Sequence, residues 1–251
     1  MEKNQVRLIK QLIKWSNNTR DAITLDFFAG SATTAHAVMQ LNAEDSGNRR
    51  YIMVQLPEPL DPDNSEQKAV ADFCDKIGKS RNIAEVTKER LRRVGKEIRE
   101  ENPMFAGDLG FRVFKLATSN IQAWEPSREN LPETLEASVD HLKTDRSEQD
   151  ILFELLLKLG LDLTVLSEAK NIAGKIVYGI GAGTLLVCLA EHIEAKDVEP
   201  LGQGIVSWYM ELAPAGEVQV VFRDSAFAND VAKTNMAAIL NQNGLKNVRS
   251  I

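Results

Sequence analysis

The stretch AITLDFFAGSATTAHAVMQLN, Ala22 to Asn42, decides the fold. AITLDFF is β-branched and aromatic, which suits a buried strand, and AHAVMQLN reads as a helix. Between them lies AGSATT, small and rich in hydroxyls, so the whole reads as strand, tight turn and helix. Ser46, Gly47 and Asn48 then form a turn before RRYIMVQL, Arg49 to Leu56, a second buried strand. Two strands joined through a helix of this length make a βαβ unit with parallel strands.

Upstream of this unit, Val6, Leu8, Ile9, Leu12, Ile13 and Trp15 recur at helical spacing until Asn17, Asn18 and Asp21 break the pattern, so a first helix ends near Trp15. Downstream, EPLDPDNSEQ is a polar surface loop, and Ala69 to Glu100 returns to helical spacing. FRVFKL, Phe111 to Leu116, is a strand candidate, whereas Gln122 to Gln149 is charged and irregular, with Pro126 and Pro132 inside it. The last hundred or so residues alternate again. They hold a helix at Ile151 to Leu159, strands at Lys175 to Ile180 and Thr184 to Leu189, and a helix around Glu199 to Met210. A strand at Val218 to Phe222, a helix at Asp230 to Asn241 and a short strand at Asn247 to Ile251 complete them. The expected organisation is an α/β domain over 1–105, a loop-rich linker over 106–150 and a smaller α/β domain over 151–251.

Composition narrows the function. With 43% apolar and 26% charged residues in 251, the chain reads as soluble and globular. It holds no uncharged apolar run of about 18 residues, and MEKNQVRLIKQLIKW lacks a signal-peptide core, so a cytoplasmic protein without a membrane partner is expected. Cys74 and Cys188 lie too far apart in sequence for a CxxC motif and read as packing residues, and His36, His141 and His192 lack metal-ligand spacing. No metal site is expected. The net charge of −6 argues against a nucleic-acid grip over the whole surface. Lys79 to Arg99 is locally basic, with eight Lys and Arg against Glu85, Glu89 and Glu97. Its favoured reading is a solvated helix face laced with i to i+4 ion pairs, with phosphate contact as the alternative.

Chemistry concentrates in the AGSATT turn. A strand ending in an acid and opening through a Gly-Ser-Thr turn into a helix can hold a nucleoside cofactor at the C-terminal edge of a parallel sheet. Asp26, Gly30, Ser31, Thr33 and Thr34 fit: glycine lets a ligand approach the backbone, hydroxyls offer hydrogen bonds, and the helix N-terminus suits a carboxylate. A purely structural βα turn has the same bare pattern. A dinucleotide-dependent oxidoreductase would need more glycines for a pyrophosphate, and AGSATT has one. GIGAGT, Gly179 to Thr184, lies between two strands and reads as a glycine-rich hairpin turn.

The run LDFFAGSATTAHAVMQLN with RRYIMVQLPEPL resembles the cofactor motif and following strand of the modification subunit of type III restriction-modification enzymes, β-class DNA adenine methyltransferases. The resemblance continues through NIAEVTKERLRRVGKEI, DLGFRVFKLATSNIQAW, ILFELLLKLGLDLT and VVFRDSAFANDVAKTNMAAIL. It implies a Rossmann-like fold binding S-adenosylmethionine, with Lys3 to Trp15 as the helix that completes the pocket. Asp26 would orient the cofactor, Phe28 and Gly30 would shape its pocket, and Ser31, Thr33 and Thr34 would lie near its methionine end. Gln55 stands where an acid often receives the ribose hydroxyls, and Glu58 is an alternative partner.

Two departures qualify the resemblance. The family usually reads GSGTT, and here Ala32 replaces the second glycine; if that position needs a positive φ, or a backbone within van der Waals distance of the ligand, the methyl costs on the order of 1 kcal/mol or more and weakens cofactor binding, and if the φ is ordinary it costs nothing. Methylating the exocyclic amine also needs a [DNS]PP[YFW] loop, and the sequence holds no Pro-Pro pair. In β-class enzymes that loop and the target-recognition region precede the cofactor motif. The resemblance therefore implies a C-terminal part, inactive alone, that meets DNA within a full modification subunit. The alternative is an assembly module, with the α/β portion from about Lys175 contacting a second modification subunit, as a homodimer, or the restriction subunit.

Overall fold

The computed structural model describes residues 2–16, 19–122 and 142–251. They divide into two compact units, one running to Val113 and one from Phe114 onward.

In the first unit β1 (Ile23–Asp26) and β2 (Arg50–Met53) pair in parallel, with Leu25 opposite Ile52 and Asp26 opposite Met53. The crossover is α2 (Thr33–Asp45), so the βαβ unit forms as its pattern predicts, but its strands, expected to be buried, hold no fully buried residue because one face of the sheet is uncovered. Helix α2 is apolar on two sides because two helices flank it. Ala37, Val38 and Leu41 meet Val6 and Ile13 of α1 (Glu2–Ser16). Ala35 and Met39 meet Leu91, Val94 and Ile98 of α4 (Ile83–Glu101), with Tyr51 and Met53 of β2 closing the cluster. The other sheet face carries Ile23, Leu25, Ile52 and Val54, which are 54%, 48%, 52% and 44% exposed. Parallel sheets ordinarily bury both faces, so this apolar face is unusual.

The helical stretch expected from Ala69 to Glu100 is two helices, α3 (Lys68–Lys76) and α4. Gly78, at φ 65°, turns the chain between them. Asn82 starts α4 afresh by accepting a hydrogen bond from the Glu85 amide at 3.0 Å.

The second unit is a five-stranded sheet in the order β3-β4-β5-β6-β7, formed by Ser167–Ile172, Lys175–Ile180, Leu185–Cys188, Gln219–Phe222 and Asn247–Ser250. β3, β4 and β5 run antiparallel; β5, β6 and β7 run parallel. GIGAGT is the turn of the β4–β5 hairpin. The parallel connections run through α6 (Ala195–Leu212) and α7 (Asp230–Gln242), which bury Leu201, Ile205, Met236 and Leu240 against Leu186, Val220 and Phe222. α5 (Glu148–Lys158) covers the opposite face, packing Leu152, Leu155 and Leu156 on Val187 and Val221. Covered on both sides, β5 is buried at all four residues, Cys188 among them.

FRVFKL, expected as a strand, is not one. Its residues pair with no strand among the described residues, and its aromatic rings go to helices instead: Phe111 lies 6.0 Å from the Arg92 guanidinium of α4, and Phe114 packs edge-on against Phe153 of α5 at 4.9 Å. The irregular arm expected over Gln122 to Gln149, with His141, falls largely on residues 123–141, outside the described residues. Leu142, beyond them, is buried and bridges Ile121. β3 carries no alternation of apolar and polar side chains and has no counterpart in the sequence reading. No helix among the described residues is long and apolar enough to cross a membrane.

Candidate functional site

The turn between β1 and α2 is held by hydrogen bonds from three directions. Asp26, the last residue of β1, uses both carboxylate oxygens on its own loop: Oδ1 accepts from the Phe28 amide at 3.1 Å and Oδ2 from the Thr34 hydroxyl at 2.6 Å. Gln55, two residues beyond β2, accepts the Gly30 N–H through Oε1 at 2.7 Å and donates through Nε2 to the Leu56 carbonyl at 3.0 Å. The Ala29 amide donates to the Val54 carbonyl at 3.1 Å, so the two strand ends stay joined past the ladder.

The third direction is α4. The Thr87 hydroxyl donates to the Gly30 carbonyl. Arg90 Nη1 reaches the Ser31 carbonyl at 3.2 Å, the Ser31 hydroxyl at 2.6 Å and the Thr33 hydroxyl at 3.1 Å. The sequence reading placed Arg90 on a solvated basic face and missed this role. The available signal was position: Ile83, Thr87, Arg90 and Val94 recur at i, i+4, i+7 and i+11, which puts the arginine within the helix's inward stripe. Elsewhere on the basic stretch ion pairs form, at i to i+3 and i to i+4 within α4 and, for Arg81, to Asp75 of α3. Arg93 pairs with Glu89 at 2.8 Å, Lys88 with Glu85 at 2.5 Å and Arg81 with Asp75 at 2.9 Å.

The turn bends through left-handed residues. Gly30 has φ 52°, and a Cβ built there would meet nothing nearer than the Phe28 carbonyl at 3.9 Å, so strain rather than space selects glycine. Ala32 has φ 62° and ψ 38°, which answers the question left by its replacing a glycine: the position demands positive φ. Its side chain is fully buried among Ala35, Met39, Leu91 and Val94, facing the α4 side. As N-cap of α2, Ala32 has no side chain to satisfy the first-turn amides, and that turn holds no acidic residue.

Of the seven candidate cofactor residues, Asp26, Gly30, Ser31, Thr33, Thr34 and Gln55 thus come together at one turn through three sets of hydrogen bonds. Phe28 contributes only its amide; its side chain is 89% exposed. Glu58 is exposed on the following loop, where its carbonyl accepts from the Ile83 amide.

The far end of α2 is also fixed. Arg49, 4% exposed, donates to both oxygens of Asp45 at 2.9 and 2.8 Å, and Asn42 hydrogen-bonds the Arg49 backbone in both directions. The hydrogen bonds from Arg49 hold the Asp45 carboxyl below its ordinary range. This network delivers β2, and so Gln55, in register with β1.

No family model matches the chain. It is 40% identical over 115 residues to the type III restriction-modification enzyme StyLTI Mod subunit of Salmonella typhimurium, which is 46% of this chain and 16% of that protein. It is 39% identical over 108 residues to the EcoPI Mod subunit of Escherichia phage P1, and 36% identical over 112 residues to the EcoP15I Mod subunit of Escherichia coli. These cover 43% and 44% of this chain, and 15% and 14% of the relatives. A shorter match, 52% over 40 residues, is to the type II methyltransferase M.KpnI of Klebsiella pneumoniae, 16% of this chain and 10% of that protein. The matches to the Mod subunits span about a sixth of those relatives' lengths or slightly less. The chain is a relative of the modification subunits of type III restriction-modification enzymes, matched over a little under half of its own length.

Proposed function

We propose that the first unit is part of a Rossmann-like methyltransferase domain that binds S-adenosylmethionine at the β1–α2 turn, in a DNA adenine methyltransferase of a type III system. The observation that carries this reading is the hydrogen-bonded turn at the C-terminal ends of two parallel strands, where open α/β sheets bind their ligands. The residues fit the group. A methionine carboxylate needs donors, and the uncapped first turn of α2 lies beside the Ser31 and Thr33 hydroxyls and the Arg90 guanidinium. Asp26 and Gln55 shape this surface by holding the loop, and Gly30 leaves room for a ligand against the backbone. When bound, the cofactor supplies an electrophilic methyl group for the exocyclic amine of adenine.

In this reading the chain alone does not methylate DNA, because its sequence has no [DNS]PP[YFW] loop to accept the amine hydrogens and stack on the base. The exposed apolar face of β1 and β2 supports a further layer packed on that face in the working enzyme. Calorimetric titration with S-adenosylmethionine should show binding that Asp26→Ala loses while its thermal unfolding stays cooperative. Absence of binding to the folded parent chain overturns the cofactor reading, and labelled methyl transfer to DNA by this chain alone overturns the account of the missing loop.

A second reading concerns the second unit. β3 and β7 are the outer strands of its sheet, and a cleft of about 370 Å³ lined by Phe222, Phe227, Lys233, Met236, Val248 and Arg249 lies beside β7. This supports an assembly role toward another modification subunit or the restriction subunit. Sedimentation of the parent chain against Val248→Lys tests it: a dimer lost in the variant supports assembly, and a parent monomer at all concentrations removes the homodimer.

A further inference from the structure

We infer that β7 accepts an added strand, an extended segment of another protein that alternates apolar and acidic side chains. The inference rests on the assembly reading of the second unit and names the chemistry of its partner. β7 is an outer strand, and its ladder to β6 uses every second residue. The Ile251 amide donates to the Phe222 carbonyl at 2.9 Å and the Ile251 carbonyl accepts from the Asp224 amide at 2.7 Å. Ile251, and by alternation Arg249 and Asn247, therefore face β6. Val248 and Ser250 turn their N–H and C=O groups outward, and no hydrogen bond among the described residues engages them. The side chains alternate as well. Val248 packs on the core that α6 and α7 cover, beside the cleft lined by Phe222, Phe227 and Met236, and its neighbour Arg249 points the other way. An added strand thus needs an apolar residue beside Val248 and a different one beside Arg249. Charge says which. Arg249 is exposed, its Nε donates to the uncharged side chain of Asn247 at 3.2 Å, and no carboxylate pairs with it among the described residues. Lys233, at the cleft, is already paired with Asp224. The stretch LKNVRSI, Leu245 to Ile251, carries Lys246 and Arg249 and no acid, so a second copy's β7 brings like charge to this edge, whereas an acidic strand brings a counter-ion.

The test is fluorescence anisotropy of a labelled octapeptide alternating valine and glutamate, titrated with the full chain. Submillimolar binding is expected, weakened about tenfold or more when lysine replaces glutamate in the probe. Two further probes are N-methylated, one at every valine and one at every glutamate. An added strand turns only one of these sets of amides toward β7, so the two should differ in affinity by about tenfold or more. Ser250→Pro removes an outward N–H and leaves the ladder to β6 intact, so it should weaken the octapeptide by about tenfold while its thermal unfolding stays cooperative. Equal binding of the two methylated probes overturns strand addition, and equal binding of the lysine probe overturns the acidic partner. Absence of octapeptide binding overturns the inference outright. Sedimentation then separates it from the reading it rests on: a parent dimer has its edge closed by a second copy and keeps the assembly reading, whereas a parent monomer loses both.

Discussion

Gln55 accepts the Gly30 amide at 2.7 Å, so the end of β2 holds open the turn that leaves β1. The position expected to face a ribose therefore has one amide oxygen committed to the loop. Removing it in Gln55→Ala leaves a part-buried N–H without this acceptor, at a cost of about 1–2 kcal/mol. Gln55→Glu keeps the acceptor and should stay within about 0.5 kcal/mol of the parent. Urea unfolding followed by circular dichroism measures both. Equal losses in the two variants would show that the hydrogen bond to Gly30 is not what Gln55 contributes.

Two buried alanines, one inside α2 and one at its N-cap, should respond differently to glycine. Ala37 is fully buried inside the helix, and Ala37→Gly should cost about 2 kcal/mol, roughly half from helix propensity and half from the lost methyl burial. Ala32 is equally buried but sits at φ 62°, where a side chain costs about 1–2 kcal/mol that glycine does not incur. Ala32→Gly recovers that strain and loses the same methyl, so it should be neutral or stabilising by up to about 1 kcal/mol. Chemical denaturation of the pair decides the matter. A loss at Ala32 as large as that at Ala37 would mean the turn is not left-handed in solution.

The strand-turn-helix core was legible because its signals are local: β-branched residues, a small polar turn and a helix-forming run succeed one another from Ala22 to Asn42. What stayed hidden lacks a local pattern strong enough to declare it. SEAKNI becomes β3 because β4 offers it a full antiparallel ladder; only Ile172 of its side chains is buried. FRVFKL has the β-branched and aromatic residues of a strand, but no strand among the described residues pairs with it, and a strand exists only through its partner. The break between α3 and α4 turns on Gly78, one residue within a helical rhythm. Arg90 was indistinguishable in composition from the exposed arginines around it, and only its register marked it as inward-facing.

Asp45→Asn should destabilise the first unit. Arg49 has a side chain 1% exposed, and its Nε has no hydrogen-bond partner, so the two contacts to Asp45 are its main compensation for burial. Breaking a buried pair costs about 3–5 kcal/mol; with the Asp45 side chain 27% exposed, water offsets part of this and about 2 kcal/mol is expected. Replacing both partners, Asp45→Asn with Arg49→Met, should recover some of the loss. A double variant less stable than Asp45→Asn would indicate that the Arg49 stem and its remaining contacts matter more than its charge.

The exposed face of β1 and β2 predicts a dye response. Leu25 and Ile52 stand opposite each other and are about half exposed, so Leu25→Thr with Ile52→Thr removes apolar surface that contributes little to the chain's own stability. Fluorescence of 8-anilinonaphthalene-1-sulfonate should fall in this variant while its unfolding midpoint moves little. A marked loss of stability would place these side chains in a packed interior.

Acid should loosen the second unit through Glu154. Desolvation of this carboxylate works to raise its pKa, but hydrogen bonds from the Ser119 hydroxyl at 2.5 Å and the Asn120 amide at 2.6 Å, with Lys158 at 3.0 Å, prevail and bring it to about 2. The folded value lies below the ordinary 4.5, so the unfolded chain takes up the proton first. The stability from this group is thus fully present above about pH 4.5 and is lost as pH falls toward about 2. Glu154→Gln should lower stability at pH 7, because its neutral amide cannot reproduce the charge-assisted contacts, and should flatten the dependence between those limits. Buried Trp208 provides a fluorescence reporter within the same unit. A pH dependence identical in parent and variant would show that the Ser119–Asn120 segment is held to α5 by its apolar neighbours, with Phe114 against Phe153 foremost, rather than by this carboxylate.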